Sequence, residues 1–322
     1  MHHGSNPQLA IANILRRSEQ RRNGTADSDG RKLGLVIEGG GMRSVYSGAG
    51  AVALAQLGFS DVFDEVYATS AGVMNASYFI TNQPLLGMSV YFDNCPTRTF
   101  MNPWRFWKIL NVDYIVDQVA TVEKPLNVGS LLASRTHLLV SACDSQTGEL
   151  ILIDTRTTKA PLSQVLRAAM AIPVLYNRTV EVEGRQLIDS GTTLPFPLAQ
   201  AIERGCTDVL VLLTRPVSFR EHRPTWIMRR MFDLVHRCGG TELSRAFARR
   251  HEMSQSVRDL ALGRIAAPSG VNIVAVCPDD TDDVESTSTN YKLTYPAAIR
   301  YGRKTLQLFG SDPEELILTL HH

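Results

Sequence analysis

Two short apolar runs, each followed by small residues and then a helix-length stretch, set the pattern of the first quarter of the chain. Leu33 to Glu38 (LGLVIE) meets Gly39-Gly40-Gly41 and then a helical segment from Ser44 to Leu57. Val66-Tyr67-Ala68 reads as a second strand, Thr69-Ser70-Ala71-Gly72 as a tight turn, and Val73 to Ile80 as helix. Two βα units in succession predict a parallel sheet. Farther on, His137 to Cys143 and Glu149 to Asp154 flank Gln146-Thr147-Gly148, while Thr179 to Val182 and Arg185 to Ile188 flank Glu183-Gly184. Both patterns predict hairpins. Pro161 to Ile172 reads as a helix, Pro197 to Arg204 as another stopped by Gly205, Asp208 to Leu213 (DVLVLL) as a buried strand and Val271 to Val276 as the last strand. The fold class expected from these elements is an α/β sandwich around a mixed sheet.

Composition narrows the function. The chain has 322 residues, 44% hydrophobic and 20% charged, enough for one catalytic domain with a real core. Lys+Arg 33 against Asp+Glu 32 leaves a formal charge of +1, so no global field favours nucleic acid. The cysteines Cys95, Cys143, Cys206, Cys238 and Cys277 are scattered without CxxC or Cys/His ligand spacing, which fits a reducing cytoplasm and argues against structural zinc. No run reaches the ~18 apolar residues of a membrane span, and the amino terminus carries charges where a signal peptide needs an apolar run. A soluble, non-exported protein is therefore expected. Arg16 to Lys32 is polar and Gly/Ser/Asp-rich, which predicts a flexible leader over 1–32, a catalytic domain over 33–310 and a tail over 311–322. The terminal histidines His2, His3, His321 and His322 carry no functional weight.

Three segments carry chemistry. In Glu38-Gly39-Gly40-Gly41-Met42-Arg43, glycines at a strand-to-helix junction free backbone N–H groups to point at an anion, and Arg43 stands at the edge of that turn. That is what an oxyanion hole requires, although a tight turn alone would look the same. In Ala68-Thr69-Ser70-Ala71-Gly72, small residues flank a serine between strand and helix, the setting of a nucleophile elbow. A serine hydroxyl needs a base, and the chain offers two kinds: His137, His222, His236 or His251 after Ser70, or Asp189 in Asp189-Ser190-Gly191 after a short strand.

Together these segments resemble the patatin-like phospholipase family, most closely its bacterial members, over about Leu33 to Leu213. The family's GGGxRG-type loop, GxSxG elbow and DGG or DGA motif correspond to Gly39 to Ser44, Ala68 to Gly72 and Asp189 to Gly191. Arg167-Ala168-Ala169-Met170-Ala171-Ile172-Pro173 before the Asp strand fits as well. The resemblance implies a three-layer α/β/α sandwich with a mixed, mainly parallel central sheet. It implies Ser70 as nucleophile, Asp189 as general base, and Gly39, Gly40, Gly41 and Arg43 at the oxyanion hole, with Ala68 and Gly72 shaping the elbow. The expected activity is hydrolysis of a phospholipid or other fatty-acyl ester without metal or cofactor. Transfer of the acyl group to an alcohol and a lipid-binding pseudoenzyme are the alternatives. Ser44, Ala68 and Ser190 replace family glycines, each costing roughly 1 kcal/mol if its backbone needs positive φ. Two segments rich in aromatic and basic residues, 100–116 (Trp104, Phe106, Trp107, Ile109, Leu110) and 222–237 (Trp226, Ile227, Met231, Phe232, Arg237), read either as lids making peripheral contact with the inner membrane surface or as core-facing helices.

Overall fold

The computed structural model describes residues 5–25, 30–105, 108–236 and 241–318, the side chains at 235 and 236 excepted. Phe106, Trp107, Arg237, Cys238, the His236 side chain and the terminal histidines named above lie outside that description. In chain order the elements are α1 (Pro7–Arg22), β1 (Leu33–Ile37), α2 (Val45–Gln56), β2 (Glu65–Thr69), α3 (Gly72–Ile80), α4 (Pro84–Asp93), α5 (Val128–Ala133), β3 (His137–Asp144), β4 (Leu150–Asp154), α6 (Leu162–Ala169), β5 (Val180–Val182), β6 (Arg185–Asp189), α7 (Leu198–Glu203), β7 (Asp208–Leu212), α8 (Trp226–His236), α9 (Glu242–Ala261), β8 (Asn272–Val276) and α10 (Tyr291–Leu308). The strands form one sheet in the order β5-β6-β3-β2-β1-β7-β8, with β4 paired to β3. Neighbours from β3 through β8 along that order run parallel, and the β3–β4 and β5–β6 hairpins are antiparallel. This is the mixed, mainly parallel sheet of an α/β/α sandwich.

The central strands are apolar runs because both their faces are covered. Alternation sends Leu35, Ile37, Leu210 and Leu212 into one layer with α2, α3, α6 and α10. Val36, Tyr67, Leu139, Val209 and Val211 enter the other, with α7 and α9. Each such fully buried aliphatic side chain contributes about 1.5–3 kcal/mol over exposure, whereas a surface ion pair contributes about 0–1 kcal/mol, so these two layers hold the sheet.

Helix α1 corrects the expectation of a flexible leader over 1–32. The Asn6 side chain accepts from Leu9 N at 3.2 Å, Pro7 occupies the first turn, and Ala10, Ile11 and Ile14 are buried in the core. Two of its polar residues are turned inward: Asn13 donates to Asp208 at 2.7 Å, and buried Arg17 donates to Asp64 at 3.1 Å and to the Arg31 carbonyl at 2.9 Å. Polarity that reads as disorder in the sequence is here a buried hydrogen-bonded interface.

Candidate active site

Strand β3 offers one edge to two partners. Along that edge β2 pairs parallel and ends with Thr69 opposite Ser141, while β6 pairs antiparallel and ends with Asp189 opposite Ala142. The other edge is taken by β4 from Leu139 to Cys143. Strands β2 and β6 therefore run toward each other, and their C-terminal ends stop one register apart. Ser70 follows the first stop and Asp189 is the second. Buried hydroxyls tie the junction: Thr69 Oγ1 lies 2.6 Å from Ser141 Oγ, which lies 2.8 Å from Ser190 Oγ.

Ser70 sits in the sharp turn from β2 into α3 with φ 53°, the left-handed region that costs a non-glycine residue about 1–2 kcal/mol. Its carbonyl accepts from Val73 N at 3.0 Å, which starts the helix. Gly39 and Gly72 let β1 close on this turn. A Cβ on Gly39 would stand 2.3 Å from the Thr69 carbonyl oxygen and 2.6 Å from Ser70 Cβ, and one on Gly72 would stand 2.8 Å from the Ile37 carbonyl oxygen. Strain at the three replaced glycines does not arise, because neither Ser44, Ala68 nor Ser190 has positive φ. Ala68 is an ordinary buried strand residue, and the Ser190 hydroxyl, besides meeting Ser141 Oγ, donates to the Ser141 carbonyl at 3.2 Å.

Asp189 is 2% exposed, and Ser70 7%. Asp189 Oδ1 accepts from Gly191 N at 2.8 Å, whereas Oδ2 is buried with no hydrogen-bond partner. Burial pushes the carboxyl pKa up to about 6, and the nearby Ser70 hydroxyl, Gly191 N–H and Arg250 only partly pull it back. Ser70 thus feels the carboxylate, yet the pair falls short of an ordinary hydrogen bond; such contacts often tighten only when substrate binds. With that pKa the carboxylate is about nine-tenths ionised at pH 7.

The glycine loop lies across the mouth of the turn. No hydrogen bond takes up the N–H of Gly39, Gly40 or Gly41 among the described residues, while Met42 N donates to Ser286 O at 3.0 Å and anchors the loop. Arg43 packs behind it, its Nε buried without a partner. Loop, Ser70 and Asp189 open into one cavity of about 440 Å³ at the C-terminal ends of the parallel strands, the usual place for ligands in such sheets. A second, apolar pocket of about 60 Å³ shares Ser70 and continues past Met74, Val90, Tyr91, Val112 and Ile115.

The histidine candidates are elsewhere. His137 begins β3, four residues before Ser141 and so ~13 Å along the strand, where Asp154 (3.4 Å) and Arg156 (2.6 Å) surround it. His222 and His251 do not line either cavity, and the His236 side chain lies outside the described residues. The two aromatic segments are split between surface and core: Trp104 is 80% and Trp226 72% exposed, whereas Leu110, Val112, Ile115, Val116 and Phe232 are buried. Met228 and Met231 of α8 reach the main cavity, and Leu110 of the first segment lines both pockets. Among the described residues no helix is long and apolar enough to cross a membrane, and no group of three or more His, Cys, Asp and Glu side chains is placed to hold a metal ion. Sequence reasoning missed Arg215, Glu221 and Arg250, which line the cavity from beyond β7 and from α9. Only the position of Arg215, three residues past the end of a parallel strand, offered a signal.

A family model described as patatin-like phospholipase matches residues 35–202. The uncharacterized protein YjjU of Escherichia coli (strain K12) is 31% identical over 206 residues, covering 62% of this chain and 56% of that protein, so the chain spans little more than half of this relative. The crystal structure of VipD from Legionella pneumophila aligns with a TM-score of 0.46 at 17% identity, covering 87% of this chain and 66% of VipD.

Proposed function

This chain belongs to the patatin-like phospholipase family, and from that premise we propose that it is a serine hydrolase of fatty-acyl esters in which Ser70 attacks and Asp189 takes the proton. The observation that carries the reading is the meeting of β2 and β6 on one edge of β3, which leaves the Asp189 Oδ2 atom unpartnered beside Ser70.

As Ser70 Oγ bonds to the ester carbonyl carbon, its proton passes to Asp189 and the carbonyl oxygen becomes an oxyanion. The free N–H groups of the Gly39 to Gly41 loop supply donors for that charge, fixed in place before the reaction. Collapse expels the alcohol, which takes the proton from Asp189 and leaves an acyl-serine. Water, deprotonated by the same carboxylate, then releases the fatty acid and restores Ser70. A pKa near 6 suits both duties, since the group is charged at neutral pH yet accepts a proton more readily than an exposed carboxylate.

A fluorophosphonate probe tests the reading. The wild-type protein is expected to be labelled and Ser70→Ala not, with p-nitrophenyl ester turnover falling roughly 1000-fold or more in the variant while its circular dichroism is unchanged. Labelling or turnover that survives Ser70→Ala would overturn it.

A further inference from the structure

Among the described residues, most buried or half-buried arginines outside this cavity have partners. Arg17 bonds Asp64, Arg167 bonds Asp113, and Arg258 donates to the Arg215 and Pro216 carbonyls at 2.6 and 2.9 Å. Three half-buried arginines lining the cavity that holds Ser70 break this rule. The side chains of Arg43, Arg215 and Arg250 have neither an ion pair nor a hydrogen bond among the described residues.

Aromatic rings hold two of them instead. The Arg215 guanidinium stands 4.3 Å over the Phe219 ring, and that of Arg250 lies 5.5 Å from the Phe247 ring, itself stacked on Phe232 at 4.1 Å. A ring face fixes a guanidinium without consuming its N–H donors. Besides Asp189, the carboxylates facing the same cavity are Glu38 and Glu221, and neither stands within ion-pair distance of the three guanidinium groups. Glu38 accepts from Thr214 N and stands 4.0 Å from Arg258, and Glu221 is raised in pKa by burial and by Glu38 but pulled back by Arg250, Arg258 and Arg215. Burial, then the neighbouring charge of Arg215, lowers Arg43 to about 10, so it remains a cation at neutral pH. Three half-desolvated cations thus face one space without a close ion pair of their own.

We propose that Arg215 and Arg250, with Arg43, form an anion subsite beside Ser70 that seats the phosphate of the lipid whose ester is cleaved. The inference rests on the hydrolase reading and deepens it. The acyl chain would run into the apolar pocket past Met74 and Val90, on the other side of Ser70. A phosphate, with several oxygens to accept from forked donors, matches guanidinium groups better than a neutral hydroxyl headgroup does.

The test compares two esters with the same acyl chain, a 1-acyl-glycerol 3-phosphate and the neutral 1-acyl-glycerol. Wild-type kcat/KM is expected to favour the phosphate ester by roughly tenfold or more, and that ratio to collapse toward one in Arg215→Gln and in Arg250→Gln, with Arg215→Lys keeping part of it. In Ser70→Ala, glycerol 3-phosphate but not glycerol should raise the melting temperature, and adding Arg215→Gln should abolish the rise. Equal wild-type turnover of the two esters, with no melting shift, overturns the subsite even where the variants fail to fold. Inorganic phosphate that inhibits both esters equally would overturn its assignment to the substrate in favour of a free anion. Turnover of neither ester, with an Arg215-dependent melting shift intact, would uphold the subsite and sink the hydrolase reading.

Discussion

Where the parallel strands begin, Arg17 pairs with Asp64 at 3.1 Å, Arg31 with Asp208 at 3.0 Å, and Glu65 with both Lys32 at 2.9 Å and Arg204 at 2.8 Å. Where they stop, Asp189 Oδ2 and Arg43 Nε are buried without partners, and Arg215 and Arg250 rest on rings. Both ends take charge out of water, but the first joins it in close ion pairs while the second leaves Asp189 and three arginines without one. The first end gains stability from its charges; the second gives up stability and keeps groups ready for a proton and an anion.

The two ends therefore carry opposite pH signatures. Burial alone would raise the Glu65 pKa, but Arg204, Tyr67 and Lys32 together hold it below the usual range. A lowered folded pKa stabilises the fold above the unfolded value, and that contribution is lost as pH falls through the folded one. For Asp189 the shift is upward, to about 6. The folded state then binds the proton more tightly than the unfolded chain, so the favourable contribution is complete below the unfolded pKa and is lost as pH rises through about 6.

The largest effect that could break this contrast is in the rate. If Asp189 is the base, kcat/KM should fall about tenfold per pH unit below its pKa near 6, roughly a hundredfold by pH 4, with circular dichroism confirming that the protein is still folded. A lower limb centred near 7 that disappears in His251→Ala or His137→Ala would hand the role to a histidine. A smaller effect tests the paired end. Glu65→Gln should lower unfolding stability at pH 7 by about 1–3 kcal/mol, the half-exposed Lys32 and Arg204 being partly rescued by water, with the deficit shrinking as the solution is acidified. A Glu65→Gln protein as stable as wild type would mean that pairing at this end is not what holds it.

Sequence alone made the local parts of this arrangement readable. The runs before Gly39 and Ser70, the glycines between, and the helices after them are contiguous, so a strand, a turn and a helix could each be named, and both hairpins followed from their turns. What brings Asp189 to Ser70 is the shared edge of β3, a pairing between distant segments that no local pattern encodes. Asp189 could be singled out only through motif resemblance. Arg215 and Arg250 belong to no motif and meet only after β7 and α9 are placed. The long helices α9 and α10 went unread for different reasons. The first is charge-rich along its whole length, and the second contains Pro296, which pattern rules treat as a break. The polarity of helix α1 misleads because two of its polar side chains, Asn13 and Arg17, are buried against Asp208 of β7 and Asp64 just before β2.

One substitution separates the two ends most directly. In Asp189→Asn, turnover and unfolding free energy measured on the same sample should move in opposite directions. Activity should be lost nearly as in Ser70→Ala, while stability at pH 7–8 rises by up to about 3 kcal/mol, the cost of holding ionised a carboxylate whose pKa is raised from 3.8 to about 6. That gain should shrink to about 0.5 kcal/mol near pH 4 and vanish below the unfolded value of 3.8, where the carboxyl is protonated in both states. A variant that keeps its turnover, or that is less stable than wild type at pH 7–8, would contradict the claim that this buried charge is left uncompensated for catalysis.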